Sequence, residues 1–63
     1  MKKGYYDVEI SGSMGGEWKL YTIFSVYNKK DEKSIKELEE QLARQGNFVR
    51  LVYDETMTRL MNE

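Results

Sequence analysis

The groups in this sequence best suited to chemistry are two adjacent acid pairs, Asp31-Glu32 and Asp54-Glu55, and three serines, Ser11, Ser13 and Ser25. Paired carboxylates can hold a divalent cation or divide acid and base roles between them. Both pairs stand where helices are expected to begin, and there the helix dipole already accounts for the negative charge. A serine nucleophile needs an activating base, and no candidate accompanies these three. The chain contains no histidine and no cysteine. It therefore lacks the usual proton shuttle near neutral pH, the thiolate nucleophile and the ligands of a structural zinc site. The residues point to no catalytic, metal or cofactor role, and the chain reads as a protein without enzyme activity.

One glycine-rich stretch, Gly12-Ser13-Met14-Gly15-Gly16, resembles a phosphate nest in composition. It matches neither GxxxxGK[ST] nor GxGxxG, and it precedes a strand where those motifs precede a helix. It reads as a hairpin loop, spanning Ser11 to Gly16, that could adapt to a partner at its rim.

The aromatic residues carry more information. Glu17 to Tyr27, EWKLYTIFSVY, has no glycine or proline and is dense in strand-forming residues. Alternation gives it two faces. Trp18, Leu20, Thr22, Phe24 and Val26 form one, read as core. Glu17, Lys19, Tyr21, Ile23, Ser25 and Tyr27 form the other, polar at first and then aromatic.

The elements that would position these faces follow from periodicity. Tyr5 to Ile10 alternates cleanly, with Tyr6, Val8 and Ile10 inward and Tyr5, Asp7 and Glu9 outward. It is expected to pair with the Trp18-to-Val26 face over a common core. A helix is expected from about Glu32 to Gln45, capped by Asp31 or Ser34, with Ile35, Leu38 and Leu42 as its apolar stripe and Gly46 ending it. Lys29 to Glu40 reads as its solvated charged face. Phe48 to Tyr53 is a third strand, apolar on both faces. Asp54 to Glu63 holds a last short helix, capped by Asp54 or Thr56, with Met57, Leu60 and Met61 on its apolar side.

The order is β-β-α-β-α. A helix between strands two and three fits a right-handed crossover that leaves them parallel, with strand one between them and antiparallel to both. The expected fold is a small α+β domain covering residues 1–63, a three-stranded sheet with its main helix on one face.

Length and charge bound the function. A chain of 63 residues buries only about 60% of its unfolded surface, so its stability depends on tight packing or on a partner. The net charge of −1 supplies no general attraction to nucleic acid. Residues 1–30 carry five lysines and three acids, whereas residues 31–63 carry five basic residues and eight acids, a mild split from +2 to −3. No signal peptide or transmembrane stretch is visible, and no membrane association is expected. The absence of cysteine fits a reducing compartment, and the expected location is cytoplasmic.

If the long helix covers the Trp18 face, then Tyr5, Tyr21, Ile23 and Tyr27 line the other, with Phe48 or Tyr53 nearby. Tyrosine suits interfaces, because its ring is apolar and its hydroxyl keeps a hydrogen bond. These four are the expected partner-binding anchors, with Ser13 and Met14 at the rim. The expected function is that of a small inhibitor or adaptor, of the kind a phage or mobile element encodes, blocking a host protein sterically. Three other readings use the same residues. The last helix could fold back over the patch. A homodimer could bury it in a structural role. Single-stranded nucleic acid could stack on the tyrosines, with Lys2, Lys3, Lys19, Lys29 and Lys30 on phosphates, although no RNP-type motif is present and Asp7, Glu9 and Glu17 lie close by.

Overall fold

A computed structural model describes residues 1–13 and 15–62. Met14, expected at the binding rim, lies outside the described residues. The elements run β1 (Gly4–Ser11), β2 (Lys19–Val26), α1 (Lys29–Arg44), β3 (Phe48–Asp54) and α2 (Glu55–Met61). They build an α+β fold. The sheet has three strands in the order β2-β1-β3, and β1 is antiparallel to both neighbours. The first strand is thus the central one, and β2 and β3 are parallel edges joined by α1.

The apolar stripe of α1 sets the core. Ile35 and Leu42 are buried against Tyr6, Val8 and Val26, with Ile10, Phe24, Leu38, Val49, Leu51 and Tyr53 packed around them. Burying a side chain such as Ile35 is worth about 1.5–3 kcal/mol. Tyr6 and Tyr53 meet edge to face, their ring centres 5.4 Å apart. The Tyr6 hydroxyl donates to the Lys2 carbonyl, and burial raises its pKa above the usual phenol value.

α1 begins earlier than its apolar stripe suggests. Its N-cap is Asn28, not Asp31 or Ser34: the Asn28 side chain accepts from the Asp31 N–H at 2.9 Å. The Asp31 carboxylate reaches back to accept from the Tyr27 N–H at 3.0 Å. Ser34 lies inside the helix and donates to the Lys30 carbonyl. Gly46, at φ +92°, ends α1: its N–H bonds to Ala43 O and that of Asn47 to Leu42 O.

The second strand departs from simple alternation. Val8 lies opposite Thr22, but the next residue, Glu9, lies opposite Leu20, so β2 carries one extra residue at Tyr21. This bulge moves everything before it to the other face. Thr22, Phe24 and Val26 stay on the helix side as expected. Trp18 and Leu20, expected in the core, lie on the open side with Glu9, and Leu20 is 56% exposed.

Candidate functional site

With α1 on one side of the sheet, the other side is available for contact. Register places Tyr5, Asp7 and Glu9 there from β1, Tyr21, Ile23 and Ser25 from β2, and Phe48, Arg50 and Val52 from β3. The bulge adds Leu20 and brings Trp18 to the same side. Five large apolar side chains of this face stay open to solvent, from Ile23 and Val52 at 40% to Leu20 at 56%, with Phe48 and Tyr21 between them.

At the end nearest the hairpin loop, Arg50 organises the surface. Its Nε lies 2.6 Å from Glu9 Oε1, and its guanidinium stacks over the Trp18 ring at 4.3 Å. An exposed ion pair of this kind is worth less than about 1 kcal/mol, but it sets a cation over the indole ring.

Asp7 occupies the middle of the face, opposite Ile23 on one side and Val52 on the other. Its Oδ1 is shut off from solvent and has no hydrogen-bond partner among the described residues. Desolvation raises the Asp7 pKa to about 6, and the neighbouring carboxylates of Asp54 and Glu9 add to the rise. Asp54 is held below the usual value, first by the Met57 N–H that it accepts and then by Asp7. Among the described residues no three acids converge as a metal-holding group.

At the far end, α2 lies across the sheet. The Thr58 hydroxyl accepts from the Tyr5 N–H at 2.7 Å, and the Asn62 amide donates to the Tyr27 hydroxyl at 2.8 Å. Tyr5 and Tyr27 contact each other edge to face at 6.0 Å and are half-buried. The helix that could have covered the whole patch therefore covers only this end. It does so largely with polar side chains, and Leu60 and Met61, expected on its packed side, are 64% and 56% exposed.

The expected anchors thus divide. Tyr21 and Ile23 are exposed on the open face, whereas Tyr5 and Tyr27 sit together partly under α2. Ser13 belongs to the connection beyond Ser11, where its carbonyl accepts from the Gly16 N–H and the Ser11 hydroxyl. Phe48 joins the patch, but Tyr53 faces α1 and packs on Tyr6. Sequence reasoning missed Leu20 and Trp18, because no glycine or positive φ marks the bulge. The outward face and middle strand of Asp7 were expected, but its place diagonal to Asp54 emerges only from the register.

Two depressions lie beside α1, away from Leu20, Tyr21, Ile23, Phe48 and Val52. A shallow depression of about 520 Å³ follows the charged flank of α1 from Lys29 to Glu40, and one of about 340 Å³ lies beside Met1, Val26 and Glu32. Both are shallow and open, so we assign neither a role. Among the described residues no helix is long and apolar enough to cross a membrane. The sequence matches no family model, and neither the curated proteins nor the solved structures compared with it give a match.

Proposed function

We propose that this chain is a non-catalytic binding module that holds a protein partner on its open sheet face, as an inhibitor or adaptor does. One observation carries the reading: Leu20, Tyr21, Ile23, Phe48 and Val52 lie exposed on a single sheet face. An exposed apolar patch on a small domain is characteristic of an interaction site. Its polar components suggest the partner's chemistry. Asp7, Glu9 and Asp54 stand on this face, and its cation, Arg50, is committed to Glu9. A complementary surface is apolar with basic residues among its contacts. The same acids disfavour phosphate, and they disfavour face-to-face pairing of two copies, which would oppose like charges. The mechanism is steric: the apolar side chains fill a groove on the target and exclude its other ligands. A cytoplasmic location is part of the same reading.

Site-specific crosslinking tests it. A photoreactive residue is placed at Tyr21 or Ile23, and in a control at Lys36 on the solvated flank of α1, and each protein is exposed to host lysate with and without nuclease. Capture of one protein from the sheet positions alone, resistant to nuclease and abolished by excess unlabelled chain, is the expected result. Equal capture from Lys36, loss on nuclease treatment, or crosslinks only between copies of the chain would overturn it. For a captured partner, Ile23→Ala should weaken binding by about 2 kcal/mol, roughly thirtyfold, if Ile23 is a true anchor.

A further inference from the structure

We propose that Asp7 and Asp54 form a pH-sensitive latch for α2: a proton shared between the carboxyls holds the helix across Tyr5 and Tyr27, and ionisation of both releases it.

The geometry comes from register. Asp54 lies opposite Tyr5 and Asp7 opposite Val52, so the two carboxyls are diagonal neighbours on the open face. Asp54 has two roles, as the last residue of β3 and as the N-cap of α2, where it accepts from the Met57 N–H at 2.9 Å. Whatever displaces the Asp54 carboxylate also disturbs the start of α2. Asp7 Oδ1 is enclosed and has no hydrogen-bond partner among the described residues. An enclosed carboxyl can satisfy itself by taking a proton and donating it to a neighbouring acceptor, and Asp54 is the acid beside it.

Among the described residues around Asp7, no cation is free to hold both charges. From β2, Asp7 faces Ile23, with Tyr21 and Ser25 on the diagonals. From β3 it faces Val52, with Asp54 and Arg50 on the diagonals, and Arg50 is drawn to Glu9. Glu9, on β1 itself, adds further repulsion. The charged residues of α2, Glu55 and Arg59, pair with each other at 3.3 Å in exposed positions. Burial and these acids raise the Asp7 pKa to about 6, while the Met57 N–H lowers that of Asp54, so the shared proton resides on Asp7.

α2 is also the element most easily released. It spans seven residues, buries none of them, and is tied to the rest of the sheet through Thr58 and Asn62. A raised carboxyl pKa favours the closed form at low pH, and that preference is lost as pH rises through about 6. If release returns Asp7 to its ordinary value of 3.8, linkage changes the closing equilibrium by about tenfold between roughly pH 5 and pH 7.5. On the binding reading above, release would add Tyr5 and Tyr27 to the open face.

The test uses the isotope-labelled full chain with no partner present. Exchange of the Tyr5 amide, which Thr58 holds, is measured across pH and corrected for intrinsic rates, while the Asp7 carboxyl carbon is titrated by NMR. Tyr5 protection should fall by up to about tenfold with the midpoint of the Asp7 titration, while protection in the centre of β1 does not follow it. Asp7→Asn supplies a permanent donor and should remove the pH dependence, leaving Tyr5 protected. Titration of Asp7 near its ordinary value, Tyr5 protection that ignores pH, or unchanged pH dependence in Asp7→Asn would each overturn the latch. If Asp7→Asn does not fold, the wild-type titration and exchange still decide the matter. The crosslinking test reads Tyr21 and Ile23, away from α2, so failure of the latch and failure of the binding reading are separate results.

Discussion

Leu20→Ala separates the bulged sheet from a regularly alternating one. In regular alternation Leu20 would point at α1 beside Thr22, and truncating a core leucine costs about 2–5 kcal/mol. The bulge turns Leu20 to the open face and leaves it 56% exposed. Less than half of its side chain is then covered. With about 1.5–3 kcal/mol for full burial, its truncation should cost about 1 kcal/mol or less. Ile35→Ala is the internal standard: Ile35 is fully buried and should lose about 2–5 kcal/mol. A 63-residue domain has only about 3–9 kcal/mol in total, so Ile35→Ala should lose a large share of its stability. The assay is urea unfolding followed by far-UV circular dichroism, because Trp18 fluorescence would report the mutated neighbourhood directly. Equal slopes with a small midpoint shift for Leu20→Ala, against a large loss for Ile35→Ala, are expected. A loss above about 2 kcal/mol in Leu20→Ala would refute the assignment of Leu20 to the open face.

Three further outcomes follow from the same structure. Gly4 has φ +149°, and a Cβ there would come within 2.6 Å of Thr58 Oγ1 and 2.7 Å of the Tyr53 ring, so Gly4→Ala should destabilise the fold by more than about 1 kcal/mol and lower Tyr5 amide protection, both checked by urea unfolding and exchange. Asn28→Ala removes the N-cap of α1 and should cost about 1 kcal/mol, whereas Ser34→Ala should cost less than about 0.5 kcal/mol in the same denaturation series. Stability should peak in mildly acidic solution: the raised Asp7 pKa withdraws stability as pH rises through about 6, and the lowered values of Asp54 and Glu32 withdraw it as pH falls below their ordinary 3.8 and 4.5. Thermal melts across pH should show that maximum, and Asp7→Asn should flatten its alkaline side.

The fold was legible where local pattern and long-range packing agree. The stripe Ile35, Leu38 and Leu42 marked the face of α1, the alternation of Tyr6, Val8 and Ile10 marked the inner side of β1, and a helix between β2 and β3 fitted a crossover that leaves them parallel with room for β1 between them. What stayed hidden depended on single backbone events or on register. The bulge at Tyr21 uses ordinary residues, and it reversed the assignment of Trp18 and Leu20. Asn28 precedes both expected caps, Asp31 and Ser34, yet its side chain caps α1. α2 was expected to pack through Met57, Leu60 and Met61, but its Thr58 and Asn62 make specific hydrogen bonds that no hydrophobic pattern reveals. The site was half visible for the same reason: Tyr21 and Ile23 follow from alternation, whereas Asp7 gains its importance only once Asp54 is placed diagonally beside it.

The central position of β1 has a consequence for how the chain reaches this structure. Its pairing with β2 joins residues close in sequence, but its pairing with β3 joins Tyr5 to Asp54 across nearly the whole chain. On a ribosome the hairpin can form as soon as β2 emerges, yet its second edge stays unpaired until β3 has been synthesised. Until then Tyr6, Val8 and Val26 have only α1 to cover them. With the hairpin formed, docking of β3 closes the segment between β2 and β3 that holds α1, and this non-local pairing is the expected slow step of folding and the interval in which the nascent protein is most exposed to misassociation.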